Sequence, residues 1–186
     1  MGTELFTSLR IAAASILLTA VAYTAALLGF ARLAAPEQAA GQLIVRDGAI
    51  VGSRLIAQAF TANAYVWPRP SAANFAADAA CGSNLSPANP AVAERAQEIL
   101  TRLGASAARP APAELVLASG SGLDPHISLD GARYQAGRVA AARGVAVAAI
   151  EAAVETVARA DGTLNQGLVN VLLLNLRLDE EHPVVP

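Results

Sequence analysis

Ile11-Ala12-Ala13-Ala14-Ser15-Ile16-Leu17-Leu18-Thr19-Ala20-Val21-Ala22-Tyr23-Thr24-Ala25-Ala26-Leu27-Leu28-Gly29-Phe30-Ala31 runs 21 residues without a charge and is closed by Arg10 and Arg32. As a helix it is about 31 Å long, which matches the roughly 30 Å hydrocarbon core of a bilayer. The sequence therefore predicts one transmembrane helix over 11–31, a short N-terminal segment over 1–10, and a soluble domain over 32–186. A single helix encloses no pore, so any transport role is shared with other subunits.

A secretory signal peptide has a shorter apolar core, about 7 to 15 residues, followed by a small-residue cleavage site. Here Phe30 to Pro36 offers no clean A-x-A site and places a proline where the peptidase needs an extended bond, so the segment reads as an uncleaved anchor. Arg10 and the terminal amine face Arg32 and Arg46 across it, and the positive-inside rule leaves the orientation open. Ala12, Ala13, Ala14, Ser15, Ala22, Ala25, Ala26 and Gly29 are small enough for close helix approach in lipid.

Composition narrows the chemistry. The chain has thirteen arginines, no lysine and a formal net charge of −2, a balance that does not suggest nucleic acid. Without lysine there is no Schiff-base chemistry and no P-loop lysine. Cys81 stands alone, which excludes an internal disulfide and reads as a small buried hydrophobe. His126 and His182 lack metal-ligand spacing, so no metal site is expected.

Beyond the anchor, Leu43-Ile44-Val45 and Ala49-Ile50-Val51 flank Asp47-Gly48, which reads as a β-hairpin with a type I′ turn. Residues 54–60 either continue the sheet or begin a helix. From Thr61 to Asn89 the chain is irregular for close to 30 residues, a length usually tied to function or disorder; Tyr65, Trp67 and Phe75 favour ordered packing. Asn89-Pro90 starts a helix that reaches Gly104, Ser128 caps one ending near Arg143 with Gly144 beyond it, and a third covers Val147 to Ala160 with Asp161-Gly162 after it. Leu168 to Leu178 suits either a strand by alternation or, preferred for its second half, a helix capped by Asn170. The fold class is α+β: one transmembrane helix, then a small domain with a short sheet or hairpin and about three to four helices.

Chemistry-bearing residues concentrate in loops. Ser119-Gly120-Ser121-Gly122 offers backbone N–H groups to an anion beside the helix that Ser128 begins, although a tight turn with Asp124 bonding local backbone explains the same residues. Asp124, His126 and one of Ser119, Ser121 or Ser128 supply the side chains of a hydrolase without its usual nucleophile elbow. Arg69 between Pro68 and Pro70 reads as an internal ion pair by default, and Tyr134, Gln135, Arg138 and Arg143 as a solvated helix face.

Taken in order, the anchor, Gly52-Ser53-Arg54-Leu55-Ile56-Ala57-Gln58-Ala59-Phe60, Arg69-Pro70-Ser71, Gly82-Ser83-Asn84-Leu85, Ser119 to Asp124, Tyr134-Gln135-x-x-Arg138-Val139-Ala140-x-Ala142-Arg143, and Val169-Asn170-Val171-Leu172-x-Leu174-Asn175 resemble the C subunit of the bacterial Kdp potassium-transporting ATPase over nearly the whole chain. Two positions depart: Ala57 replaces a usual glycine, and Ala80-Cys81-Gly82 stands where a glycine pair normally precedes the serine. The resemblance implies a non-catalytic accessory subunit of a high-affinity potassium uptake complex. Its partners would be a channel-like potassium-binding subunit, a P-type ATPase subunit, a small fourth membrane peptide and the lipid bilayer. It also implies the bacterial inner membrane, with the N-terminus inside and the soluble domain outside. The family is customarily credited with raising the ATP affinity of the ATPase subunit as a catalytic chaperone. If ATP is bound directly, Ser119, Gly120, Ser121, Gly122 and Gln135 are the candidate residues. The competing class is a membrane-anchored extracytoplasmic hydrolase.

Overall fold

The computed structural model describes residues 2–160 and 167–184. Two compact units are distinguished, Met1–Ile50 and Val51–Pro186.

In the first unit the apolar segment is part of one continuous helix over Gly2–Ala34, longer than the predicted span at both ends. It comprises α1 (Gly2–Ile16), a wider π-helical stretch over Leu17–Ala22, and α2 (Tyr23–Ala34). None of the described residues of these segments is buried. The hydroxyls of Thr7 and Thr19 donate to the carbonyls of Thr3 (2.9 Å) and Ser15 (2.7 Å) one turn back, which satisfies both groups within the helix. Pro36 opens the short α3 (Pro36–Ala39). The strands β1 (Leu43–Arg46) and β2 (Ala49–Ser53) then pair as expected. Asp47 (φ +52°) and Gly48 (φ +77°) both adopt the left-handed angles a two-residue type I′ turn requires.

The second unit holds α4 (Pro90–Arg102), a 3₁₀ turn (Ala113–Leu115), β3 (His126–Ser128), α5 (Leu129–Arg143), α6 (Val147–Ala160), β4 (Leu168–Asn170) and α7 (Val171–Glu181). The helix boundaries read from the caps hold: Asn89 Oδ1 accepts from the Ala91 N–H (3.0 Å), Ser128 Oγ from Gly131 (3.0 Å), and Asn170 Oδ1 from Leu173 (3.2 Å). Gly144 ends α5 at φ +68°. Asp161-Gly162, expected just past α6, lies outside the described residues.

Neither reading of residues 54–60 is met. The Ser53 hydroxyl accepts from the Leu55 N–H (3.1 Å) and the Ala57 N–H reaches the Leu123 carbonyl (2.9 Å), so local and loop bonds replace both ladder and helix. The run from Leu168 divides: β4 pairs antiparallel with β3, Ile127 opposite Val169, before α7 begins. Both central residues are fully buried. Each strand ends on the residue that caps the next helix.

The core lies where α5 packs along α6, with β4 and α7 closing it. Ala132, Ala136, Val139 and Ala140 recur at helical spacing on α5, and their small side chains let Ile150, Ala153, Val154 and Val157 of α6 approach closely. Leu174 and Leu178 complete the layer from α7.

Candidate functional site

Four of the sequence motifs meet at one loop junction. The Ser119 N–H donates to the Pro70 carbonyl (2.9 Å), Cys81 to Ser121 (2.9 Å) and Ala57 to Leu123 (2.9 Å). The Ser71 hydroxyl donates to the Gly122 carbonyl (2.6 Å). Two glycines are dictated by this crowding: a Cβ on Gly82 would lie 2.9 Å from the Gly120 carbonyl oxygen, and one on Gly122, at φ +71°, would lie 2.8 Å from both Ala73 Cβ and the Cys81 oxygen. Cys81 itself is exposed, contrary to its reading as a buried hydrophobe, because it uses only its backbone at the junction. The departure from a glycine pair is thereby accommodated. Ala57 is buried without strain at its own position.

Within Ser119 to Gly122, the Gly122 N–H is taken by the Ser119 oxygens (Oγ at 3.2 Å), and the Ser121 hydroxyl accepts from Leu123 (3.1 Å). Asp124 accepts from the His126 N–H (3.0 Å), lies 3.6 Å from His126 Nδ1, and pairs with Arg69 at 3.1 Å. The hydrogen bonds from His126, then Arg69, hold its carboxyl below the usual carboxylate range against the opposing effect of burial. The internal ion pair expected of Arg69 is present. Ser128, offered as a nucleophile, spends its hydroxyl on Glu114 and on the helix cap.

The fifth candidate, Gln135, is on the buried side of α5, and its amide bonds the Trp67 backbone. Its Oε1 accepts from the Trp67 N–H (2.9 Å) while its Nε2 donates to the Trp67 carbonyl (3.0 Å). Asn175 of α7 treats Val66 in the same way, at 2.8 and 2.9 Å. Successive residues of an extended chain direct their polar groups to opposite sides, so this dipeptide is gripped from both. That is why a stretch without ladder partners is ordered.

The tetrad on α5 is not a solvated face. Arg143 is buried and donates to the carbonyls of Ala64 (2.7 Å), Leu178 (2.9 Å) and His182 (2.7 Å) and to Asp179 (2.8 Å). Arg138 lies 3.5 Å above the Trp67 ring centre, and Arg102 of α4 stacks on the same ring at 4.2 Å. Burial, then the nearby Arg102 charge, lowers the Arg138 pKa to about 10. Tyr134 donates to the Arg109 carbonyl (3.2 Å). Sequence reading missed Arg102 and Asn175, whose partners are main chain or lie 35 residues or more away; only the proximity of several motifs to one tryptophan hinted at it.

Comparison with known proteins fits this layout. Residues 5–180 match the family described as KdpC, K+-transporting ATPase, c chain. The chain belongs to the KdpC family. A "Potassium-transporting ATPase KdpC subunit" of Parvibaculum lavamentivorans is 48% identical over 92% of this chain and 94% of its own length. Those of Rhodospirillum rubrum (48%; 92% and 93%) and Cereibacter sphaeroides (46%; 94% and 98%) are similar. The match reaches from the apolar helix almost to the end of α7.

Proposed function

We propose that this chain is the accessory subunit of a potassium-transporting ATPase, spanning the inner membrane once with its N-terminus inside and its Val51–Pro186 unit outside. The family match over residues 5–180 carries the reading. A continuous helix over Gly2–Ala34 with a charge-free core long and apolar enough to cross a bilayer supports the membrane assignment. The soluble unit would sit over the potassium entrance of a channel-like subunit and hold the P-type ATPase subunit and a small fourth membrane peptide in one complex. The test is potassium-stimulated ATPase: co-expression with the other subunits should give an active complex, and leaving this chain out should abolish both recovery and activity. Equal activity without it would sink the proposal.

An effect on ATP affinity would then pass through partner subunits. A domain outside the membrane is separated from cytoplasmic ATP by about 30 Å of hydrocarbon. Gln135 already makes bonds with both backbone groups of Trp67, and the Gly122 N–H is engaged inside its own loop. Cys81 provides the orientation test, being exposed and the sole thiol. An impermeant maleimide should label it in intact spheroplasts. Labelling only after lysis would place the domain beside ATP and revive direct contact.

A further inference from the structure

Between α4 and the 59–75 loop is a cavity of about 110 Å³ that the loop junction does not use. Phe60, Trp67, Phe75, Ile99 and Leu115 give it apolar walls, and Arg69 and Arg102 bring two guanidinium groups to it. The charge there is not balanced. Among the described residues no carboxylate lies within ion-pair distance of Arg102 or of Arg138, which stacks on the same Trp67 ring, and of these three arginines only Arg69 has one, Asp124. Arg69 also keeps a buried Nε without an acceptor. An orphan donor of this kind costs free energy that an incoming acceptor restores. Burial, then the nearby Arg102 charge, lowers the Arg138 pKa.

We propose that this cavity is a binding site for a small branched-chain carboxylate, its aliphatic body against Trp67, Phe60 and Phe75 and its carboxylate between Arg69 and Arg102. Size sets the class: an apolar cavity of about 150 Å³ takes benzene, so one of this volume takes a branched body of about four or five carbons. Charge sets the head group, since a planar carboxylate matches the guanidinium fork and a neutral amide does not. The site is independent of the assembly role, because it lies within one compact unit and calls on no partner subunit.

Trp67 is the sole tryptophan, so its emission reports on the cavity directly. Isovalerate titrated into the full-length chain in detergent should give a saturable change with a midpoint below about 10 mM. Isovaleramide should give none. Arg102→Gln, at an exposed position on α4, should weaken isovalerate by about ten-fold or more, while Arg109→Gln, exposed and outside the cavity, should titrate like the parent. Saturation-transfer NMR on the isovalerate methyls repeats the comparison without relying on tryptophan emission. Absence of saturation by both methods, equal binding of the amide, or an unaltered midpoint in Arg102→Gln would each overturn the assignment.

Discussion

Arg143→Met is expected to lower the unfolding free energy by about 3–5 kcal/mol, the range for breaking a buried charged network by removing one partner. The Arg143 side chain is fully buried, and its fork joins the carbonyls of Ala64, Leu178 and His182 to Asp179. Methionine fills part of the volume but leaves three carbonyls without their donor and the Asp179 carboxylate without its cation. Arg143→Lys should recover little, because an ammonium cannot reproduce donors pointing in several directions from one plane. Urea unfolding of the full-length chain, followed by Trp67 emission, reads this as a lower midpoint at unchanged slope. A loss under about 1 kcal/mol would mean that the loop, α7 and the C-terminal turn hold together without the arginine.

Gln135→Leu should cost about 2–5 kcal/mol, since it strands both the N–H and the carbonyl of Trp67 in the interior at roughly 1–3 kcal/mol each. Both bonds are of ordinary length, at 2.9 and 3.0 Å, and the residue is 1% exposed, so water cannot substitute. The same variant separates two roles for this glutamine. If it is a structural clamp, any change in ATP affinity of an assembled complex should track the fraction of folded chain and disappear when that fraction is corrected for. A stable Gln135→Leu chain whose complex had selectively lost its ATP response would instead place the amide at a nucleotide.

The helices were legible because their ends carry local chemistry: Asn89, Ser128 and Asn170 cap within three residues, and Gly144 takes the left-handed angle next to the last turn. The hairpin was legible for the same reason, through Asp47-Gly48. The β3–β4 ladder was not, since three residues are too few for a period to show and the partners are at least 40 residues apart. The face of α5 was misread because its inward side contains Gln135 and Arg143 as well as alanines, so polarity no longer marked the solvent side. At the loop junction the sequence exposed the clustered glycines and serines but not their neighbours. That Gly82 yields space to the Gly120 carbonyl is a property of two loops together.

The grip of Gln135 and Asn175 on Trp67 and Val66 bears on the order in which the chain becomes native. The two amides recognise main chain alone, so the route of the aromatic loop is written in α5 and α7, 68 and 109 residues downstream. Contacts of that separation carry a large closure cost and form only once their distant halves coexist. During synthesis the loop leaves the ribosome long before Gln135 and Asn175 do, so the backbone groups of Trp67 and Val66 wait for their amide partners while 68 and 109 further residues are made. On the proposed membrane assignment, the apolar helix would enter the bilayer first and tether this unfinished segment near the membrane, and the residues that later grip Trp67 and Val66 arrive last.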